Sequence, residues 1–175
     1  MPEAIYIIGQ IFGGIAILCG FLTYQMKTQK QILLMLVATS SVFCLHYLMI
    51  GAISGMAMNI IGVLRGLLYY YRNEKGWKSP VIPVTCTALM AVIGVISWEA
   101  WYSVFVFLGL VIHTWCTSRD NPQFVRASIL VTSPLVLLYD VFARSIGGTI
   151  YEAVAIASAT IGIVRYRKIQ NGGAD

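Results

Sequence analysis

Glu152 has the most chemistry to offer in this chain. It stands six positions into an apolar run, Ile146 to Arg167 (IGGTIYEAVAIASATIGIVRYR), that is long enough to cross a bilayer. An ionised carboxylate in hydrocarbon is costly, so it must face a cavity, a partner or a proton. Its functional roles are then substrate hydrogen bonding or proton coupling. Its structural roles are an ion pair or a protonated carboxyl that holds two helices together. A second run, Ile53 to Arg72 (ISGMAMNIIGVLRGLLYYYR), carries Asn59 at the same rung and Arg65 six residues deeper. Asn59 can bind a polar solute or make a plain interhelical hydrogen bond, worth ~0.6 kcal/mol in membranes. Arg65 lies ~18 Å into its helix at 1.5 Å per residue. It could neutralise Glu152, bind an anionic substrate group, or snorkel toward Arg72. Six residues turn a helix by about 240°. Asn59 and Arg65 are therefore expected on different faces, with Arg65 in a structural or gating role.

Three further polar groups complete the inventory. His46 and Asp140 fall near the same expected end of the bilayer and read as vestibule or proton-relay residues, or as plain interfacial polar groups. His113 reads as a helix–helix contact or a relay member. Pro134, after Ser133, marks a hinge, because proline removes a backbone donor.

The elements that position these residues follow from composition. The 175 residues are 58% hydrophobic and 11% charged, with a mean hydropathy of +0.78. A soluble domain carries about 25% charged residues, so the chain reads as an all-α, polytopic membrane protein. Spans of roughly 20 apolar residues fall at 4–25, 31–50, 53–71, 80–97, 100–118, 123–143 and 146–166. The loops between them are too short for a soluble domain, and the tail from 167 reads as cytoplasmic. Cys19, Cys44, Cys86 and Cys116 all lie inside apolar runs without a CxxC or Cys/His cluster. Neither metal nor disulfide is implied, and no cofactor is expected. HExxH, GxSxG and Gly-rich phosphate loops are missing, so an enzyme is not expected. The N-terminus lacks a basic n-region and a small-residue cleavage site, and reads as a retained helix.

Loop charge sets an expected orientation. Lys27, Lys30, Arg72, Lys75, Lys78, Arg119, Arg126, Arg165, Arg167 and Lys168 fall on one side. Glu3, Glu99, Asp140 and a single base, Arg144, fall on the other. The positive-inside rule places the first set in the cytoplasm, with the N-terminus outside. The net charge of +5 is then loop charge facing an anionic leaflet, not a nucleic-acid footprint. Helical rather than barrel spans place a bacterial protein of this kind in the inner membrane.

A repeat organises the spans. A shift of 93 residues brings Asn59 onto Glu152 and matches Leu45, Ile53, Gly55 and Arg72 with Leu138, Ile146, Gly148 and Arg165. Gly55, Asn59, Gly62 and Gly66 form a small-residue stripe, and Gly148, Glu152, Ala155 and Ala159 form its partner. Gly9, Gly13, Ala16 and Gly20 make a similar stripe in the first span. Small faces let membrane helices approach closely. The expected architecture is two parallel three-helix bundles, 4–71 and 100–166, joined by a linker helix at 80–97. Parallel repeats with a site between them occur in transporters.

SIGGTIYE (145–152), IVRYRK (163–168) and the span with its embedded Arg65 resemble the YgjV family of bacterial inner-membrane proteins. The three-plus-one-plus-three layout is similar to the SWEET, PQ-loop and Pnu vitamin-transporter superfamily. In SWEETs the third helix of each triplet carries an asparagine at the substrate site. The resemblance therefore implies substrate-binding places for Asn59 and Glu152. Tyr24-Gln25 stands where that superfamily has its Pro-Gln motif, and Pro134 alone remains of the hinge prolines. The expected function is facilitated or proton-linked movement of a small polar solute between helices 3 and 7. The rival is a non-transporting receptor, scaffold or accessory subunit. Pairing into a homo-oligomer is left open.

Overall fold

Seven apolar stretches, each bounded by a polar or glycine-containing turn, fold into seven helices. The computed structural model describes residues 3–77 and 79–172, with the backbone alone for 168–172. The helices are α1 (Glu3–Gln25), α2 (Gln29–Ile50), α3 (Ile53–Glu74), α4 (Val81–Ile96), α5 (Ser103–Thr117), α6 (Pro122–Phe142) and α7 (Ile146–Gly172). There is no strand among the described residues. α1, α2, α3, α6 and α7 are long and apolar enough to cross a membrane. α4 and α5 have 16 and 15 residues, shorter than expected. Both lie alongside α3. Ser54, near the start of α3, donates to the Ser97 carbonyl at the end of α4 and pairs with Ser103 at the start of α5. Arg72, near the end of α3, shares a groove with Pro80 and Ser118 at the opposite ends of α4 and α5. The eighteen residues between Ser54 and Arg72 span about 27 Å. α7 continues to Gly172, beyond the tail boundary expected at 167, because no helix breaker intervenes before the Gly172-Gly173 pair. Lys78, the Lys168 side chain and residues 173–175 lie outside the described residues.

The helices form a ring. α1 packs on α2, α2 on α3, α3 on α5, α5 on α6, α6 on α7, and α7 returns to α1. α4 sits outside, against α3 and α5, and presents Val81, Val84, Val92, Val95 and Ile96 outward. In this order α3 and α7 stand opposite each other.

The connections repeat at the 93-residue offset. Gly51, after α2, is left-handed at φ 80°, and Arg144, after α6, is left-handed at φ 55°. Both turns close with the same pair of bonds. Gly51 N–H donates to Leu48 O and Ala52 N–H to Tyr47 O; Arg144 N–H donates to Val141 O and Ser145 N–H to Asp140 O. This is the way helices commonly end at a left-handed residue. The N-caps of α2 and α6, Thr28 and Asn121, are also 93 apart, and each accepts a backbone N–H through its side chain. Capping of this type is worth about 1 kcal/mol.

The carbonyls at the ends of α1 and α5 follow suit. Arg126 Nε donates to Tyr24 O at 2.9 Å, and its Nη2 donates to Met26 O. Gln29 Nε2 donates to Thr117 O and Arg119 O, each at 3.2 Å. The two carbonyl pairs are 93 residues apart, and each is capped from the other side of the chain. Arg72 and Arg126, expected as loop charges, are in fact buried. A guanidinium that satisfies orphan helix carbonyls is drawn into the helix ends it caps.

Candidate functional site

Six helices enclose one central cavity of about 70 Å³. A buried water needs ~10–15 Å³, so the space suits about five waters, or a solute of about that many heavy atoms. α3 contributes Asn59 and Arg65, and α7 contributes Tyr151 and Glu152. Phe43 and Tyr47 of α2 form an aromatic wall with Tyr151. Phe43 stacks on Tyr47 at 5.5 Å and meets Tyr151 edge-on at 4.7 Å. The remaining polar lining includes Thr39 and Ser40 of α2, His113 of α5, and Thr132 and Ser133 of α6. α4 contributes nothing.

Among the described residues Asn59 makes no interhelical hydrogen bond. Its amide donates to Gly55 O one turn back in its own helix, at 2.9 Å. Glu152 is 7% exposed, and it shares the cavity with Ser133, whose hydroxyl has no hydrogen-bond partner among the described residues. Arg65 is 2% exposed. Its Nη1 donates to Thr114 Oγ1 at 2.9 Å and Leu110 O at 3.4 Å, while its Nε has no partner among the described residues. The helix angle of 240° does not keep Arg65 and Asn59 apart. They flank the inward face of α3 on either side and line the same cavity at different depths. The ion pairs among the described residues are Lys30–Glu74 and Arg72–Asp120. Arg65 therefore does not neutralise Glu152.

Position 158, which answers to Arg65 in the repeat, carries serine. It makes the same kind of contact with different chemistry. Ser158 Oγ donates to Phe21 O at 2.8 Å and accepts from Gln25 Nε2 at 2.9 Å. Phe21 lies 93 residues before Thr114, the partner of Arg65. The α1–α7 seam is thus closed by neutral groups where the α3–α5 seam is closed by a cation.

The family model described as Imp-YgjV, bacterial inner membrane protein, matches residues 7–170. The chain belongs to this family. It is 23% identical over 170 residues to the inner membrane protein YgjV of Escherichia coli (strain K12), an alignment that covers 97% of this chain and 90% of that protein. No solved structure matches it. The family and the apolar helices together make this a multi-pass protein of the bacterial inner membrane.

In this Imp-YgjV chain His46 and Asp140 lie outside the central cavity, fully buried at the end of the ring that carries the α2–α3 turn. His46 Nδ1 lies 2.7 Å from Gly9 O, and Nε2 lies 2.7 Å from Ser145 Oγ. A carbonyl only accepts, so Nδ1 carries a proton. Tyr47, from the cavity wall, donates to Asp140 Oδ1 at 2.6 Å. Tyr47 and Asp140 are themselves 93 residues apart. Asp140 Oδ2 is buried without a partner among the described residues. Asp140 and Ser145 also border an apolar surface groove of about 250 Å³ between α6 and α7. Tyr139 accepts the Gly55 N–H at 2.7 Å, and these bonds draw α2, α3, α6 and α7 together above the cavity. At the opposite end, Ile32 and Leu36 of α2 pack on Val125 of α6.

His113 Nδ1 is 3.1 Å from Ser128 Oγ, the helix–helix contact expected, and the ring also lines the cavity. Pro134 lies within a continuous α6 and points outward, with the unpartnered Ser133 beside it. Sequence reasoning did not single out Phe43, Tyr47, Tyr151 or Ser145. In a lipid-facing run an aromatic side chain carries no mark of which face it takes.

Proposed function

We propose that this protein carries a small polar solute across the inner membrane through the central cavity, with Asn59, Glu152 and Arg65 as its binding groups. One observation carries the reading: Asn59 and Glu152, 93 residues apart on opposed helices, line a single buried cavity that also holds Arg65. A scaffold has no need to gather a carboxyl, an amide and a guanidinium around one cavity. The ring narrows over the cavity through Tyr47–Asp140 and under it through Ile32, Leu36 and Val125. Alternate loosening of these two ends would give passage. The reading extends to the whole fold: α1–α3 and α5–α7 are two parallel triplets joined by α4, in the manner of the SWEET superfamily. The matched caps and turns support it. The basic end faces the cytoplasm, and the N-terminus lies outside. Movement is facilitated, or linked to a proton held at Glu152.

Cysteine placed at 59 or 152 tests the cavity. A polar thiol reagent should modify both from at least one side of the membrane, and inertness from both sides would sink the reading. Proteoliposome uptake with wild type and Glu152→Gln tests coupling. Uptake whose pH dependence survives Glu152→Gln would rule out a proton at that residue.

A further inference from the structure

Glu152 and Arg65 present a physical problem. Both are buried, and both line one cavity. Neither belongs to the ion pairs among the described residues. Arg65 is held by a threonine hydroxyl and a carbonyl, which leaves its positive charge uncompensated. A buried charge without a counter-charge is strongly destabilising. A carboxyl and a guanidinium in one cavity would normally lower that cost by meeting. Here they are set at different depths. Glu152 is six residues from the start of α7 and Arg65 twelve from the start of α3, so their levels differ by about 9 Å. The two helices begin at the same end of the ring and stand on opposite sides of it.

We propose that the cavity is built for a small zwitterion, one that carries an ammonium group and a carboxylate or similar anion in a single short molecule. This rests on the central-cavity reading above. The ammonium would sit at Glu152, where Phe43, Tyr47 and Tyr151 line the same cavity and aromatic rings favour a cation. The anion would sit at Arg65, whose planar fork suits a carboxylate. Two charge-assisted hydrogen bonds of ~2.8 Å each would hold a small α-amino acid between the two side chains. The volume agrees, since space for about five waters matches the five heavy atoms of glycine. Asn59, with its amide donor turned to its own helix, leaves its carbonyl oxygen available for the ammonium.

Four probes of nearly the same size separate the charges. Glycine carries both, glycolate only the anion, glycinamide only the cation, and glycolamide neither. Binding is measured calorimetrically on the purified full chain in nanodiscs, where no transport is needed. Glycine should bind at least tenfold more tightly than glycolate or glycinamide, with glycolamide weakest. Glu152→Gln should weaken glycine at least tenfold and leave glycolate unchanged, while Arg65→Gln should do the same to glycine and spare glycinamide. The wild-type series alone decides the matter if either variant fails to fold. Equal affinity for glycine and glycolamide, or no measurable binding of any probe, overturns the proposal. Uptake into proteoliposomes separates this from the carrier reading. Glycine that binds in this pattern but is not moved leaves the zwitterion site standing and defeats the carrier. A glycolamide flux that glycine does not inhibit defeats the zwitterion site and leaves the carrier standing.

Discussion

Gly13 and Gly147 meet backbone to backbone where α1 closes on α7. A Cβ built on Gly13 would lie 2.8 Å from Gly147 Cα, and one built on Gly147 would lie 2.6 Å from Gly13 Cα. Carbon atoms rest at about 3.5–4.0 Å, so Gly13→Ala or Gly147→Ala must part the helices by about 1 Å. His46 bridges the same seam, with 2.7 Å bonds to Gly9 O on one side and Ser145 Oγ on the other. A parting of about 1 Å stretches one of these beyond ~3.5 Å, where it no longer counts as a hydrogen bond. Overpacking costs about 1–3 kcal/mol, and the lost bond adds ~0.6 kcal/mol. Each variant should therefore lose about 1.6–3.6 kcal/mol, the sum of those two terms. The double variant should lose much less than the sum, because the first methyl has already moved the helices apart. Gly14 is the control, next in sequence, with nothing within 4 Å of its added Cβ. Gly14→Ala should be neutral or stabilising by ~0.5–1 kcal/mol, the helix preference for alanine. The assay is the SDS fraction at half-unfolding in mixed micelles, followed by circular dichroism. If Gly13→Ala and Gly14→Ala unfold together, the seam is not packed as described.

Three further outcomes follow from the ends of the ring. Arg126→Ala orphans Tyr24 O and Met26 O and should cost about 2–4 kcal/mol, as loss of hydrogen bonds from a charged donor to buried acceptors does. Arg126→Lys should recover less than half of the loss in the same unfolding assay, because a single ammonium cannot reproduce the fork. Tyr47→Phe removes the bond to Asp140 and should raise the modification rate of a cysteine at 59 by an impermeant reagent added from the α2–α3 end. An unchanged rate would show that this bond does not restrict entry. Arg144 is a non-glycine residue at φ 55°, a conformation that disfavours an L side chain by ~1–2 kcal/mol. Arg144→Gly should stabilise by up to ~1 kcal/mol, and Gly51→Ala should destabilise by about as much, both read as shifts in the unfolding midpoint.

The sequence pattern was a good guide to whatever interrupts apolarity. Glu152, Asn59 and Arg65 stood out as polar groups in lipid-length runs, and the structure brings all three to one cavity. The helix order, and the turns at 51 and 144, could be read to within a few residues. Inside and outside could not. In water the buried face of a helix is its apolar face, but in lipid both faces are apolar. Gly13 and Gly14 look alike on paper, yet one touches a backbone and the other touches nothing. Phe43 and Tyr151 could equally have faced lipid. Arg126 looked like a loop charge because its task, terminating α1, depends on carbonyls a hundred residues away.

If α1–α3 and α5–α7 are parallel triplets, as proposed above, the place of α4 answers a matter of parity. A unit that crosses the membrane three times finishes on the side opposite its start, so a second unit joined directly to it would have to run upside down. One extra crossing restores the direction. α4 takes no part in the cavity, packs at the edge of the ring beside α3 and α5, and offers its outer face to lipid. On the proposal of two parallel triplets, it is the topological spacer that a tandem duplication of an odd-numbered unit would require. On the same proposal, Gln29 and Arg126, capping carbonyl pairs 93 residues apart, are what such a duplication would leave after each copy had chosen its own chemistry for one shared duty.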